Sequence, residues 1–452
     1  MELALKLGQQ LRRYILREWL PLLADLKLAI GLLLAIAVCS ATGTIIEQDQ
    51  SLAFYQANYP EHPALFGFLS WRVITRLGLN HVYRTPWFLA LLILFGASLA
   101  ACTWQRQWPL LKVARRWYYY RKPESFQRLA TSTLIPQGSL SQLERLLRQR
   151  GYWVQRRDEV LYARKGLLGK IGPIVVHASM LLILAGAIWG SLTGFKSQVM
   201  IPAGGEGGLG QVVAVGDWGR LPDWRLRVHR FWIDYDPQGR VRQFYTDLGI
   251  EEQGEERVRR VISVNHPLSY RGVSFYQADW AISSVVVRIN QSPPLRLPVV
   301  PIQQNGQSLW GTFIPTRPDL EEGVMLLLPD LQGTGILYDM QGQWLTSLHT
   351  GQSWTTPDQK TLWLEQVIGS SGIQIKQDPG IPWVYGGFAL LMVGVVMSYV
   401  SHNQCWALSR PEGLYVGGKA NRAAVVFERE LLQILEELQP PHCEPVRTDV
   451  LG

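Results

Sequence analysis

Four long apolar runs without a charged side chain constrain the fold of this chain more than any other feature. Residues 28–46, 85–105, 171–195 and 379–401 contain no Asp, Glu, Lys or Arg. At about 1.5 Å per residue, a helix of about 20 residues crosses the ~30 Å hydrocarbon layer of a bilayer. The pattern therefore predicts a multi-pass membrane protein with four transmembrane α-helices.

The positions of the charges predict how these helices are oriented. Residues 105–170 carry 15 Lys and Arg but only 4 acidic residues, whereas 47–84 carries three of each sign. Basic residues next to membrane helices stay in the cytoplasm. We therefore expect both termini and residues 106–170 to be cytoplasmic, with 47–84 and 196–378 on the other side.

The net charge of +8 follows from this topology, with a contribution from attraction to anionic lipids of the membrane. Residues 196–378 contain 16 basic and 19 acidic residues, so we expect no nucleic-acid partner. The first apolar run follows 27 residues that include several arginines, which indicates a retained helix and not a cleaved signal peptide.

The segments between the helices have distinct predicted structures. Residues 1–27 form a cytoplasmic N-terminal amphipathic segment, and 28–105 holds helices one and two with the outer loop 47–84. Residues 106–170 form a basic αβ element with a helix over Ser141–Arg150 that ends at Gly151, and two short strands. Helices three and four occupy 171–195 and 379–401, and the cytoplasmic tail 402–452 contains another amphipathic helix that includes Leu431 and Leu438.

Residues 196–378 predict a large β-rich, sandwich-like extracytoplasmic domain between helices three and four. Apolar and polar residues alternate from Asp223 to His229, and further β-branched runs follow, separated by Gly, Pro and Asn. None of the four cysteines (Cys39, Cys102, Cys405 and Cys443) falls in this segment, and the chain has no CxxCH. The sequence thus excludes a disulfide framework there and a c-type cytochrome.

Small residues recur at helical spacing in the apolar runs. Gly186 and Gly190 lie one turn apart in the third run, and Gly387 and Gly394 lie two turns apart in the fourth. Small side chains allow membrane helices to approach each other closely. The pattern indicates a closely packed helix bundle.

His177 is the candidate functional residue. It lies about 9 Å inside the third run, on the cytoplasmic side, where an ionisable side chain is costly. Its neighbours at helical spacing, Pro173, Ile174, Met180 and Leu181, are all apolar. This setting favours an apolar planar ligand such as haem over a bare metal ion, which needs several donors. The alternative is a histidine that is hydrogen-bonded to another helix.

No catalytic constellation is visible elsewhere in the chain. The sequence contains no HExxH, GxSxG or P-loop motif, and the other seven histidines have no partner at a metal-binding spacing. We therefore assign no catalytic residue.

Several segments resemble the ResB-like family of cytochrome c biogenesis proteins, the CcsB subunits of System II in their cyanobacterial and plastid form. The matching segments include Gly43-Thr-Ile-Ile-Glu-Gln48, Val264-Asn-His-Pro-Leu-Ser-Tyr-Arg-Gly272, Tyr276-Gln-Ala-Asp-Trp280, Asp378-Pro-Gly380, Ser401-His402 and Gly417-Gly-Lys-Ala-Asn-Arg422. They occur in the family's order and cover nearly the whole chain.

The resemblance implies a function as well as a fold. Family members act with a CcsA-type membrane partner, carry haem b across the membrane and present it to the CxxCH thiols of apocytochrome c. His177 matches the position thought to be an axial ligand of the haem iron. The resemblance also implies a thylakoid or plasma membrane location and an accessory, non-catalytic role in a holocytochrome c synthase.

Two other classes remain open on the residues alone. One is a membrane-anchored structural or sensory protein whose β-rich domain binds a ligand or partner. The other is a small-solute transporter, although the chain shows neither internal repeats nor interrupted helices.

Overall fold

The computed structural model describes residues 18–64, 67–129, 131–304, 307–317, 322–356 and 359–438. The described chain separates into two units. The first unit contains the chain up to Ile46, Leu77–Ile188 and the chain from Gly380 onward, and the second contains Glu47–Arg76 and Trp189–Pro379. Most of the predicted N-terminal amphipathic segment and Cys443 lie outside the described residues.

The helices have the following bounds: α1 Leu20–Leu23, α2 Leu26–Ile45, α3 Leu52–Asn58, α4 Trp71–Leu77, α5 Pro86–Cys102, α6 Trp108–Arg115, α7 Leu140–Gln149, α8 Leu168–Thr193, α9 Ile381–Tyr399 and α10 Ala424–Leu438. A π-helical turn, Thr103–Gln107, joins α5 to α6, and short 3₁₀ segments cover Leu79–Arg84 and Pro123–Arg128.

The strands have the following bounds: β1 Thr131–Ile135, β2 Trp153–Arg157, β3 Val160–Lys165, β4 Phe195–Pro202, β5 Glu206–Gly207, β6 Gln211–Val215, β7 Arg225–Tyr235, β8 Val241–Glu252, β9 Glu255–Ser263, β10 Leu268–Tyr270, β11 Val273–Ile289, β12 Leu295–Pro298, β13 Val300–Gln304, β14 Gln307–Pro315, β15 Gly323–Leu328, β16 Thr334–Tyr338, β17 Trp344–His349, β18 Ser353–Thr355, β19 Thr361–Gln377, β20 Asn403–Arg410 and β21 Gly413–Ala420.

Four helical spans are long and apolar enough to cross a membrane: Leu26–Ile45, Pro86–Arg115, Leu168–Thr193 and Ile381–Tyr399. They confirm the four predicted membrane helices. The second span extends ten residues beyond the uncharged run, because α5 continues through the π turn into α6. Side-chain caps begin two of these helices: Asp25 accepts from the Lys27 amide of α2, and Thr85 accepts from the Phe88 amide of α5.

Glycines bring α8 and α9 into close contact. A Cβ atom built on Gly387 would lie 2.6 Å from Ile183 Cγ1, and one built on Gly394 would lie 2.9 Å from the Val176 amide nitrogen. Even an alanine at these positions would collide with α8. The predicted small-residue packing therefore joins helices three and four, where the two backbones approach most closely.

A five-stranded sheet of the first unit combines two segments that are far apart in sequence. Its strand order is β1-β21-β20-β3-β2, so β20 and β21 of the tail lie between strands of the 106–170 segment. The prediction that 106–170 and 402–452 are separate segments is wrong in this respect, because their strands form one sheet. Backbone pairing over 240 residues, such as Tyr162 with Trp406, leaves no local pattern in the sequence.

Both faces of this sheet are covered. Leu143 of α7 and Leu431 of α10 belong to a core on one face, and an aromatic cluster that includes Tyr162 and Trp406 covers the other. The predicted helix ending at Gly151 is α7, whose chain reverses at Gly151 with a positive φ of 81°. The amphipathic helix predicted in the tail is α10, whose buried residues include Leu431 and Leu438.

The second unit is the β-rich region that the sequence predicts. Two sheets, β10-β11-β19-β4-β6 and β5-β7-β8-β9, share one hydrophobic core. A third sheet, β13-β14-β15-β16-β17, contributes to a second core. The two 17-residue strands β11 and β19 pair along their length and supply residues to both cores, so they connect the two cores of this unit.

The predicted outer loop 47–84 is divided between the two units. Glu47–Arg76, with α3, belongs to the second unit. Tyr55 in α3 is almost completely buried, and its hydroxyl donates to the Glu47 carbonyl. Tyr59 donates to the Glu47 carboxylate at 2.6 Å, and burial together with this carboxylate raises the pKa of Tyr59 to about 12. The hydrogen bonds of Tyr55 and Tyr59 therefore connect α3 to Glu47 at the beginning of this segment.

We expect Gly387→Val to destabilise the helix bundle, because the new side chain would collide with Ile183 across the α8–α9 contact. Overpacking of this kind typically costs about 1–3 kcal/mol. Gly386→Val is the matched control, since a Cβ atom on Gly386 has no neighbour within 4 Å. Thermal unfolding of the two variants in detergent measures the difference, and equal unfolding midpoints would contradict the contact.

We expect His402, between α9 and β20, to make the stability of the folded protein depend on pH. Its ring is buried, and neither ring nitrogen makes a hydrogen bond of good geometry within the described residues. Burial lowers the pKa of His402 below 6.5, and the charges of Lys170 and Arg164 add to this shift, although the Lys165 backbone carbonyl opposes it. The unfolded chain therefore takes up the proton first, and stability falls as the pH drops below about 6.5.

We expect His402→Leu to reduce the loss of unfolding temperature between about pH 7.5 and 5.5, relative to the wild type. His349→Leu serves as the control, because His349 is exposed. A pH dependence in His402→Leu that equals the wild-type dependence would contradict this assignment.

Candidate functional site

His177 in α8 makes hydrogen bonds to the π turn between α5 and α6. Its Nδ1 atom lies 2.9 Å from Thr103 Oγ1, and its Nε2 atom lies 3.1 Å from Gln107 Nε2. Both partners come from a segment about 70 residues earlier in the chain. The structure thus places His177 in contact with another helix, which is the alternative left open by the sequence.

Pro109 explains why the helix widens at this place. It lies in the first turn of α6 and has no amide hydrogen to donate to the carbonyl of Gln105, four residues earlier. The turn before Pro109 is π-helical, with the Trp108 amide donating to the Thr103 carbonyl five residues earlier, and such turns are frequent at functional sites. Here the widened turn directs Thr103 and Gln107 toward the same imidazole.

The hydrogen bonds determine the tautomer of His177. Thr103 Oγ1 donates its hydrogen to the Leu99 backbone carbonyl at 2.8 Å, so it acts as an acceptor toward the ring. Nδ1 of His177 therefore carries the ring hydrogen, and Nε2 has a lone pair that accepts from the Gln107 amide. A neutral imidazole with its lone pair on Nε2 is the form that can bind a metal.

The Gln107 side chain is only partly satisfied. Its Oε1 atom is buried and has no hydrogen-bond partner within the described residues. A buried acceptor without a partner costs about 1–3 kcal/mol. The Gln107 amide therefore holds His177 through one hydrogen bond at the expense of an unsatisfied oxygen.

The surroundings of His177 are apolar. The next turn of α8 contributes Met180 and Leu181 to a cluster with Leu32, Phe95 and Leu99. The described residues contain no group of three His, Cys, Asp or Glu side chains that could hold a metal ion. One imidazole in an apolar setting fits a haem, whose porphyrin supplies four of the iron ligands, better than a bare ion.

Among the described residues, no second histidine makes a hydrogen bond to His177. His229 is paired with Glu256, His266 lies beside the Val264 carbonyl, and His349 lies 3.0 Å from Thr334 Oγ1. Cys39, Cys102 and Cys405 are free cysteines. Complete burial raises the pKa of the Cys405 thiol to about 12, which makes it unreactive.

The second unit contains a separate cavity of about 570 Å³. It lies between β7 and β19, and its lining includes Phe231, Trp232, Tyr235, Leu331 and Gly369. None of the residues that surround His177 contributes to it.

Thr103 and Gln107 are site residues that the sequence analysis does not identify. Their signal is a shared depth in the membrane: the second and third spans are consecutive and run in opposite directions, so the end of the second apolar run meets the beginning of the third. The polar residues after Cys102 lie at the level of His177 for this reason.

Comparisons with known proteins agree on one family. The ResB-like family matches residues 26–308 and 299–432. The cytochrome c biogenesis protein CcsB of Synechococcus sp. (strain JA-3-3Ab) is 62% identical over 436 residues, which are 94% of this chain and 91% of that protein. The CcsB protein of Thermosynechococcus vestitus is 58% identical over 430 residues, covering 94% and 97%.

Among solved structures, the cytochrome c haem lyase CcmF aligns with 69% of this chain and 30% of its own, at 11% identity. The TM-score of 0.23 does not establish a common fold.

The four spans and the β-rich unit define an integral membrane protein with a large β-structured region. The relatives narrow this class further, since they match the chain over nearly its whole length. The chain belongs to the ResB-like family.

We expect ¹⁵N NMR of histidine-labelled protein to show His177 as the neutral Nδ1–H tautomer, because Thr103 accepts from Nδ1. The resonance is assigned by its absence from His177→Gln. Thr103→Val should shift the tautomer equilibrium toward Nε2–H, whereas Thr103→Ser should retain the wild-type spectrum. An Nε2–H tautomer in the wild type would contradict this hydrogen-bond arrangement.

Proposed function

We propose that this chain is a CcsB-type membrane subunit of the cytochrome c biogenesis machinery. With a CcsA-type partner it carries haem b across the bilayer and presents it for attachment to the CxxCH cysteines of apocytochrome c. The observation that carries this proposal is the 62% identity, over 94% of the chain, to a protein named for cytochrome c biogenesis. Haem is the cargo, bound transiently and shared with the partner.

In this function His177 is an axial ligand of the haem iron. Its surroundings support the role, because a neutral imidazole with an unprotonated Nε2 lies among apolar side chains within the third span. The ring hydrogen on Nδ1 is held by Thr103, the arrangement by which proteins orient histidine ligands.

The basic residues support a defined orientation in the thylakoid or plasma membrane. The segment 105–170 carries 15 basic side chains, so residues 106–170 and both termini lie in the cytoplasm. Residues 196–378 then lie in the lumen or periplasm. His177 then lies toward the cytoplasmic surface, where haem would enter. The cyanobacterial relatives support the thylakoid assignment.

The second unit acts as a platform for the apocytochrome and performs no covalent chemistry itself. Residues 196–378 contain no cysteine that could form a mixed disulfide with the CxxCH thiols. The cavity between β7 and β19 provides concave surface for a bound segment. We assign the chain an accessory role, since residues 196–378 offer no thiol for thioether formation.

We expect the complex purified with the CcsA-type partner to show a b-type haem spectrum. His177→Ala should weaken the haem absorption about tenfold or more, because loss of a metal ligand, or of the residue that orients it, lowers metal affinity by such a factor. Added imidazole should restore much of the absorption by occupying the space left by the side chain. Assembly of cytochrome c in cells should fall in parallel.

His349→Ala is the control variant, because His349 is exposed on β17 of the second unit. It should leave both the spectrum and cytochrome c assembly unchanged. If His177→Ala retains the wild-type spectrum and assembly, His177 is not a haem ligand, although the family membership would stand.

A further inference from the structure

The lone pair of His177 that a haem iron would need is occupied by Gln107. We propose that Gln107 is a displaceable cap on His177 Nε2, and that Thr103 is the positioning residue that keeps this atom unprotonated. The inference rests on the proposed function for the identity of the incoming ligand. The cap itself rests on a hydrogen bond within this chain.

Thr103 prepares the imidazole for coordination before any ligand arrives. Its hydroxyl hydrogen is committed to the Leu99 carbonyl at 2.8 Å, so its oxygen accepts the Nδ1 hydrogen at 2.9 Å. A histidine ligates through a nitrogen without hydrogen. Because Nδ1 already carries the ring hydrogen, coordination through Nε2 requires no deprotonation.

Gln107 and an iron atom would compete for the same Nε2 lone pair. The Gln107 amide lies 3.1 Å from Nε2, where it donates one hydrogen bond. Coordination therefore requires this side chain to leave. A glutamine can do so by rotating about its own side-chain bonds, without movement of the helix backbone.

The unsatisfied side-chain oxygen of Gln107 favours its release from His177. Its buried Oε1 has no partner within the described residues, so the capped position leaves half of the amide unsatisfied. The cap still satisfies the imidazole while no ligand is bound, which matters because a buried ring nitrogen without a partner is costly. Gln107 therefore protects the histidine in the ligand-free state and lowers its affinity for haem.

The test is a titration of ferric haem into the full-length chain with its CcsA-type partner in lipid nanodiscs, followed by the change in haem absorption. Gln107→Leu removes the competing amide and should tighten haem binding about two- to tenfold, the equivalent of one net hydrogen bond. Gln105→Leu is the matched control, since Gln105 belongs to the same π turn and makes no hydrogen bond to His177. It should leave the affinity unchanged.

A second measurement uses the haem-free protein. In ¹⁵N NMR spectra, Gln107→Leu should move the Nε2 resonance of His177 and leave the Nδ1–H tautomer intact, whereas Thr103→Val should alter the tautomer and weaken haem binding. Thr103→Ser should restore both. If Gln107→Leu does not fold, Gln107→Ala replaces it in both measurements.

The outcomes separate this inference from the proposed function. Wild-type affinity or weaker binding in Gln107→Leu, with binding still weakened about tenfold or more by His177→Ala, would overturn the cap and leave the haem ligand in place. Haem binding of wild-type affinity in His177→Ala would overturn the ligand assignment and the cap together.

Discussion

The hydrogen bonds between His177 and the π turn are the interaction on which the site depends. Water is scarce inside a bilayer, so a polar side chain in a membrane helix must find its partners within the protein. A polar group buried without a hydrogen bond costs about 2–7 kcal/mol. Thr103 and Gln107 satisfy both nitrogens of the imidazole, and in doing so they determine which helix lies beside it.

The second span is irregular at the same place. A regular helix through Pro109 would leave one carbonyl without its usual donor. The π turn at Thr103–Gln107 precedes this proline and carries the two polar side chains that contact α8. On its other side α8 contacts α9 through Gly387 and Gly394, where the absence of a side chain allows the backbones to approach. The helix α8 thus makes a polar contact with the π turn on one side and a close apolar contact with α9 on the other.

Outside the spans, pairing between distant segments builds the structure. Strands β20 and β21 complete the sheet begun by β1, β2 and β3, and the charged pair Lys165–Glu430, at 2.9 Å, joins the same two segments. The second span, the third span and the fourth are therefore connected through one folded domain at their ends. In the second unit, β11 and β19 perform a similar role, because each contributes side chains to two cores.

The sequence by itself determined the number of membrane helices, the β-rich character of residues 196–378, the helix that ends at Gly151 and the place of His177 in an apolar helix. These features depend on local properties: uncharged length, alternation of apolar residues, a glycine after a helix, and one ionisable side chain in an apolar run. It could not determine the shared sheet of β3 and β20, or the division of residues 47–84 between two units, because those depend on contacts between residues far apart in the chain. The same reason applies to the site. The composition of α8 correctly shows that His177 has no partner on its own helix, but only the tertiary structure places Thr103 and Gln107 beside it, since antiparallel helices bring the end of one apolar run to the beginning of the next.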